Sequence, residues 1–165
     1  MDPKTKFKIR WTIILHPHLK VDVLRKEIID AGFKINSKWA DPILNKMPLV
    51  PKEMTLDLVA PSIAELGFPG GASRKDFYNR AFEYGLELCP PQTGPELRLI
   101  HRNQLRGEWF RIAMEPIVGD DGDLYVFGVD RAGFGSWLDA RSSGPPEEVW
   151  GPDCRWIFVQ PKIGA

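Results

Sequence analysis

Two histidines that stand two residues apart, His16 and His18, are the most metal-like feature of the sequence. Alternate residues of a strand point to the same side, so both imidazoles could face one ion with the Asp22 carboxylate as a third donor. His101 is distant in sequence and could contribute to this site only if the fold brings it close to His16 and His18. The sequence has no His-Glu-x-x-His helix to complete such a site. The pattern predicts either a small metal-dependent hydrolase or solvated turn residues.

Three arginines crowd into the segment ELRLIHRNQLRGE, at Arg98, Arg102 and Arg106. If the segment is a strand and a turn, Arg98 and Arg102 share one face and could hold a phosphate or carboxylate through paired guanidinium contacts. Glu96 and Glu108 are close enough in sequence to neutralise this charge. The segment therefore predicts an anion site or, as the favoured alternative, a salt-bridged surface.

A second basic stripe, formed by Lys4, Lys6, Lys8 and Arg10, lies on the first predicted strand. Single-stranded nucleic acid is bound by a cationic groove with aromatic platforms on the same face. Here the alternation places Trp11 on the opposite, buried face. Nucleic-acid binding through this strand is therefore an alternative that the geometry disfavours.

The C-terminal third of the chain is rich in aromatic residues: Trp109, Phe110, Tyr125, Phe127, Phe134, Trp137, Trp150, Trp156 and Phe158. Strand alternation can bury only about half of them on one face. Exposed aromatic residues beside arginines are typical of protein interfaces. We expect a protein partner or a second copy of the chain on the outer face of this sheet, with Trp137 and Trp150 as anchors and Tyr125 and Arg141 beside them. The alternative is a second small core beneath the N-terminal helices.

Nucleophilic and cofactor chemistry finds little support in the sequence. There is no G-x-S-x-G elbow, no phosphate-binding loop and no dinucleotide fingerprint. Cys89 lies in the apolar context LELCPP, which favours a buried, inert thiol. The sequence predicts a non-catalytic binding protein without a cofactor.

The elements that must position these residues follow from periodicity and turn residues. Strands are predicted at 6–16, 54–60, 108–115, 124–130, 135–141 and 155–160, and helices after Asp22, after Pro42 and at 74–84. These elements predict an α+β fold in which N-terminal strand–helix segments pack against a C-terminal antiparallel meander of about four strands. We expect a single domain over 1–165, with a basic part at 1–52, a middle part at 53–107 and the aromatic-rich sheet at 108–165.

Composition and charge limit the classes of function that the sequence is compatible with. The chain has 165 residues, 43% of them hydrophobic and 27% charged, so it can bury a core. No apolar run approaches the ~20 residues of a membrane span, and the N-terminus lacks the apolar region of a secretory signal. Two cysteines without an export signal predict a reducing, cytoplasmic setting. Residues 1–52 carry eleven basic and five acidic side chains and the remainder has the opposite excess. This asymmetry predicts that the two parts pack together or, as the less favoured alternative, that they present faces of opposite charge to a partner.

Four stretches carry a resemblance: MTLDLVAPSIAELGF, GLELCPPQTGPELRL, GEWFRIAMEPI and RWIFV. Together they resemble a group of small bacterial proteins with no established activity, over most of the chain from residue 20 onward. The resemblance implies a compact, stand-alone bacterial protein in the cytoplasm. It implies no catalytic residue and no cofactor.

Overall fold

A computed structural model describes residues 7–18 and 20–162. The strands are β1 (Trp11–Leu15), β2 (Lys34–Ile35), β3 (Met54–Val59), β4 (Ala72–Ser73), β5 (Trp109–Ile112), β6 (Ile117–Val118), β7 (Leu124–Ala132), β8 (Gly135–Ser142), β9 (Val149–Trp150) and β10 (Trp156–Val159). The helices are α1 (Val21–Asp30), α2 (Ala40–Lys46), α3 (Arg74–Glu83) and α4 (Thr93–Ile100). The fold is α+β, as the sequence predicts.

One large curled sheet organises the molecule. Its strands follow the order β1-β3-β10-β5-β7-β8-β2, with β6 paired to β7. Most neighbours are antiparallel, whereas β10 runs parallel to β5 and β2 runs parallel to β8. A separate two-stranded sheet joins β4 to β9. The three sequence segments therefore contribute strands to the same sheet.

The predicted four-stranded meander is smaller than the sheet that forms, and its last strand lies elsewhere. β5, β7 and β8 do pair in antiparallel succession. β10 does not continue from β8 but inserts between β3 and β5. Each residue of β10 is buried, which suits a central strand covered on both faces. The long link after β8 supplies the crossover that parallel pairing with β5 requires.

Strand alternation gives the sheet two different faces. The helical face carries Ile13, Leu58 and Phe110 and packs against α1, α2 and α4. The outer face carries Trp156 and Phe158, which contact α3. There the Phe77 ring lies 5.1 Å from that of Trp156. α3 covers only part of the outer face, and this leaves the region over β5, β7 and β8 to other side chains.

The basic N-terminal segment packs onto the rest of the chain. β1 pairs with β3 over its whole length, and β2 pairs with β8. His18 Nε2 lies 3.0 Å from the Glu96 carboxylate of α4. Lys46 Nζ donates to the Val118 carbonyl at 2.9 Å. The basic N-terminal part therefore packs against the rest of the chain, as the charge distribution predicts.

Helix α4 lies where the sequence pattern suggests a strand and a turn. Its residues from Thr93 to Arg98 are all buried, so the segment lacks the solvent-facing stripe by which an amphipathic helix is recognised. Pro95 falls in the first turn, where a helix tolerates proline because the missing N–H needs no intrahelical partner. Tertiary burial therefore conceals this helix from periodicity arguments.

The close approach of α4 to the sheet depends on Gly94. A Cβ atom at this position would lie 2.7 Å from Phe127 Cβ. We expect Gly94→Val to lower the free energy of unfolding by about 1–3 kcal/mol, because the packed helix must shift away from β7. Urea denaturation of the purified protein measures this change.

Gly70 provides the control for this substitution. It is exposed, and a Cβ atom there would meet no atom within 4 Å. Gly70→Val should leave the urea midpoint nearly unchanged. Equal loss of stability in both variants would contradict a packing role for Gly94.

Candidate functional site on the outer face of the sheet

Four charged side chains come together on the outer face over β5, β7 and β8. Arg111 pairs with Gly128, and Gly128 pairs in turn with Asp139. Asp130 is two residues from Gly128 on the same face, and Arg141 is two residues from Asp139. We call Arg111, Asp130, Asp139 and Arg141 the outer-face cluster. Three tryptophans surround it: Trp109, Trp137 and Trp150.

Arg111 is buried between aromatic rings. Its side chain is only 8% exposed, and its guanidinium carbon lies 4.4 Å from the ring centroid of Trp109 and 5.9 Å from that of Trp150. Within residues 7–18 and 20–162, Nε and Nη1 of Arg111 have no hydrogen-bond partner. Burial lowers the pKa of Arg111, and the nearby Asp130 charge acts in the opposite direction. The cluster therefore holds a desolvated cation whose donors are unpaired.

Asp130 and Asp139 form a carboxyl pair. Asp139 Oδ1 accepts from Asn36 Nδ2 at 3.0 Å and from the Ala140 amide at 2.8 Å. Burial, followed by the hydrogen bond and charge of Asp139, raises the pKa of Asp130 to about 7. Asp130 therefore keeps its proton to higher pH than an exposed aspartate does.

Gly128 lies at the crowded centre of the cluster, where a side chain would meet its neighbours closely. A Cβ atom there would lie 3.2 Å from Asp130 Oδ1, 3.3 Å from the Phe110 carbonyl oxygen and 3.5 Å from Arg111 Nη1. The Asp130 and Arg111 atoms thus flank the same point above the strand. Both are buried and, in the described part of the chain, unpaired.

Three of the four residues predicted for the protein-binding surface lie at this site. Trp137 is half-buried, donates from Nε1 to the Ala132 carbonyl and has Lys34 Nζ 5.4 Å from its ring centroid. Trp150 packs edge-on against Trp156 at 5.2 Å. Arg141 is exposed and lies 3.5 Å from Asp139 Oδ2.

Tyr125, the fourth predicted residue, lies on the opposite face. Its ring stacks on Trp39 at 5.5 Å, next to α2. The hydroxyl donates to Asp121, and this hydrogen bond raises the pKa of Tyr125 to about 12. Positions 125 and 137 differ by an even number, which within one continuous strand would place both side chains on the same face. Tyr125 and Trp137 lie instead on the two strands of a hairpin, and the β7–β8 register places them on different faces of the sheet.

Sequence reasoning missed Trp109, Arg111, Asp130 and Asp139 as members of one site. A usable signal was present, since charged residues rarely occur in the middle of a buried strand unless they are paired. Asp130 and Asp139 both interrupt such runs, in VFGVD and SWLDA. Only the register of β5, β7 and β8 shows that these charges meet.

The residues of the predicted metal site make other contacts. His18 is mostly buried and hydrogen-bonds Glu96, whereas His16 is exposed. Asp22 is exposed in the first turn of α1, where Arg25 pairs with it. The structure thus holds His18 against α4 and leaves His16 and Asp22 in solvent.

His101 lies apart from the other two histidines. Its Nε2 atom is 3.2 Å from the Glu108 carboxylate, and its ring lies 5.2 Å from that of Trp11. Among the described residues, no three His, Cys, Asp or Glu side chains are grouped so that they could hold a metal ion.

Arg98 does not share a surface with Arg102 and Arg106. It is fully buried in α4, and its Nη1 atom donates to Gln104 Oε1 at 2.7 Å and to the Asp130 carbonyl at 3.1 Å. Burial lowers its pKa to about 10. Arg102 and Arg106 are exposed. The strand on which the predicted anion patch depended is a helix, so the expected common face does not form.

The basic stripe of the first strand is described only in part, because Lys4 and Lys6 lie outside the described residues. Lys8 and Arg10 are exposed. Trp11 packs on the helical face, where its ring lies 5.3 Å from that of Phe110. The aromatic ring therefore faces the core, as the alternation predicts.

Both cysteines are free thiols. Cys89 is buried, as predicted, and donates to the Ile157 carbonyl at 3.3 Å. Burial raises the pKa of Cys89 and also that of the half-buried Cys154. Neither environment favours the thiolate that nucleophilic chemistry requires.

Comparison of the chain with known protein families, curated proteins and solved structures finds no match. In the described part of the chain, no helix combines the length and the apolar character that crossing a membrane requires.

The carboxyl pair should give the protein a distinctive dependence of stability on pH. The pKa of Asp130 is raised from 3.8 to about 7, so the folded state binds its proton more tightly than the unfolded state does. The contribution of Asp130 to the free energy of unfolding is fully present below pH ~4. This contribution falls by up to about 4 kcal/mol as the pH rises to ~7. We expect Asp130→Asn to match wild type near pH 4 and to be the more stable protein at pH 8, as measured by urea denaturation.

Glu87→Gln removes an exposed carboxylate elsewhere and serves as the control. The free energy of unfolding of Glu87→Gln should change with pH as that of wild type does, from pH 4 to pH 8. Parallel curves for wild type and Asp130→Asn between pH 4 and pH 8 would contradict the raised pKa of Asp130.

Arg98 should act as a structural residue rather than a ligand. Arg98→Met should lower the free energy of unfolding by about 3 kcal/mol or more, because several buried acceptors lose their donor at about 1–3 kcal/mol each. Arg102→Met, in the exposed position, should change it by less than about 0.5 kcal/mol. Thermal and urea denaturation measure both, and similar values for the two variants would refute the distinction.

Proposed function

We propose that this chain is a non-catalytic binding protein that docks a partner protein on the outer-face cluster and its surrounding tryptophans. The observation that carries this proposal is the exposed aromatic rim of the cluster. Trp109 is 37% exposed, and Phe134, in the turn between β7 and β8, is completely exposed. Trp137 is half-buried, and both Trp137 and Trp109 pair with Asp130 in the sheet.

The residue types of this surface, rather than their arrangement, are those of an interface. Tryptophan and arginine are the residues most enriched among those that dominate binding energy, and such residues cluster at the centre of a contact. Here the polar centre is buried and its aromatic rim is solvent-exposed. A fully exposed phenylalanine contributes nothing to the core, whereas a partner surface could cover it.

The other functions predicted from the sequence draw less support from the contacts. His18 and His101 are each paired with a carboxylate, which competes with a metal for the imidazole. The Trp11 ring packs toward the core rather than beside the exposed cations of the first strand. A cytoplasmic setting remains part of the proposal on account of the two free cysteines.

Photocrosslinking from Phe134 tests the proposed interface. Benzoylphenylalanine placed at Phe134 should crosslink a protein in native cells, and the product should fall at least about tenfold in Trp137→Ala, because truncating a central tryptophan of an interface costs about 2 kcal/mol or more. Gel mobility and mass spectrometry measure the product. A product of twice the chain mass identifies a second copy as the partner.

Two controls make this experiment specific. The same probe at Val23, exposed on α1 at the other side of the sheet, should give little product. Trp39→Ala, a half-buried tryptophan on the helical side, should leave the Phe134 product unchanged. Equal yields from Phe134 and Val23, or indifference to Trp137→Ala, would overturn the proposal.

A further inference from the structure

A small pocket lies at one end of the large sheet, where β1 and β10 begin and β3 ends. Its volume is about 330 Å³. The residues just before β1 line it together with Ala60 and Pro61 after β3, Glu65, and Arg155 before β10. Neighbouring strands of one sheet therefore position its walls. The pocket shares no residue with the outer-face cluster, so a ligand bound here would be independent of the proposed partner protein.

Positive charge predominates in this pocket. Three cationic side chains line it, Lys8, Arg10 and Arg155, against one carboxylate, Glu65. All four are exposed or half-buried, so a dissolved ligand can reach them directly. Arg155 pairs with Glu65 at 2.8 Å, whereas Lys8 and Arg10 have no carboxylate partner among the residues that the structure describes. Two of the three cations are therefore open to pairing with an anion.

Both arginines of the pocket are held in place by other groups. The guanidinium carbon of Arg10 lies 4.8 Å from the ring centroid of Trp11 and 5.0 Å from that of Phe110. These rings restrict the orientation of the guanidinium group and leave its charge in place. Nη1 of Arg155 donates to the Ala60 carbonyl at 2.8 Å. An anion that binds here therefore meets arginines that have little conformational freedom left to lose.

We propose that this pocket binds a small organic phosphate, with its phosphate group among Lys8, Arg10 and Arg155. Phosphate is favoured over a carboxylate because a dianion gains more than a monoanion where three cations face one carboxylate. The planar fork of an arginine also matches two oxygens of a phosphate group. Phe7 and Pro61 belong to the remaining walls and suit an apolar or aromatic group attached to the phosphate.

The size of the pocket and the packing of Trp11 favour a small molecule over a nucleic acid. Pockets for small ligands usually measure ~300–1,000 Å³, and this one lies near the lower limit. Single-stranded nucleic acid requires aromatic platforms on which successive bases stack. The Trp11 ring is already packed against the rings of Phe110 and His101.

NMR titration of the full chain with phenyl phosphate tests the inference. At pH 8 phenyl phosphate is a dianion, whereas phenyl sulfate is a monoanion of nearly the same shape. Phenyl phosphate should shift the backbone amide signals of Lys8 and Arg10 and the indole N–H signal of Trp11. Phenyl sulfate should bind several-fold more weakly because it carries less charge. Inorganic phosphate should also bind more weakly, since it has no apolar group to place against Phe7 and Pro61.

Matched variants separate this site from general attraction between charges. Arg10→Gln should weaken phenyl phosphate binding about tenfold or more, because it removes charge-assisted hydrogen bonds. Arg102→Gln removes an exposed arginine outside the pocket and should leave the affinity within about twofold of wild type. Lys8→Gln should weaken binding several-fold, whereas Lys52→Gln, at an exposed position outside the pocket, should not. The two lysine variants keep the inference testable if Arg10→Gln fails to fold, which the dispersion of the amide spectrum shows.

Each of the following results would overturn the inference. Absence of shifts at the pocket with phenyl phosphate would remove the site. Equal affinities for phenyl phosphate and phenyl sulfate would remove the preference for a dianion, and equal affinity for inorganic phosphate would remove the organic group. Equal weakening by Arg10→Gln and Arg102→Gln would indicate non-specific attraction. Tighter binding of a thymidine oligonucleotide, weakened by Arg10→Gln and Lys8→Gln, would make the surface a nucleic-acid interface instead.

Discussion

The insertion of β10 between β3 and β5 is the constraint on which the rest of the structure depends. It joins the β1–β3 pair to the C-terminal strands and makes one sheet of them. It also places Trp156 opposite Arg111, so the aromatic layer under α3 continues into the tryptophans that surround the outer-face cluster. Without this central strand, the two halves of the chain would have separate edges and no common face.

Side chains on both faces of the sheet hold strands β7 and β8 together at the outer-face cluster. On the helical face, Arg98 Nη1 donates to the main-chain carbonyls of Asp130 and Trp137. On the outer face, the side chains of these residues form part of the site. A buried arginine whose donors are directed at main-chain oxygens fixes the relative positions of β7 and β8. The interior network thus supports the geometry of the surface that we propose binds a partner.

The outer-face cluster combines charges that a stable core would exclude. Burying an arginine without an anion is unfavourable, and so is burying an ionised carboxyl pair. Here burial and the neighbouring Asp139 raise the pKa of Asp130, and the guanidinium carbon of Arg111 lies 4.4 Å from the ring centroid of Trp109 and 5.9 Å from that of Trp150. Function commonly explains such local conflicts with folding, since binding sites tolerate desolvated groups that a partner later satisfies.

The sequence by itself determined the local elements. Alternation predicted β1 and β3, periodicity and turn residues predicted a helix at 74–84 where α3 forms, and tryptophan content predicted an aromatic outer surface. Only the tertiary structure decided the remainder, because burial hid the period of α4 and because strand order depends on contacts distant in sequence. That order moved β10 away from β8, turned Tyr125 to the helical face and brought Arg111 to Asp130 and Asp139. Side-chain alternation is a local property, whereas register between strands is set by packing.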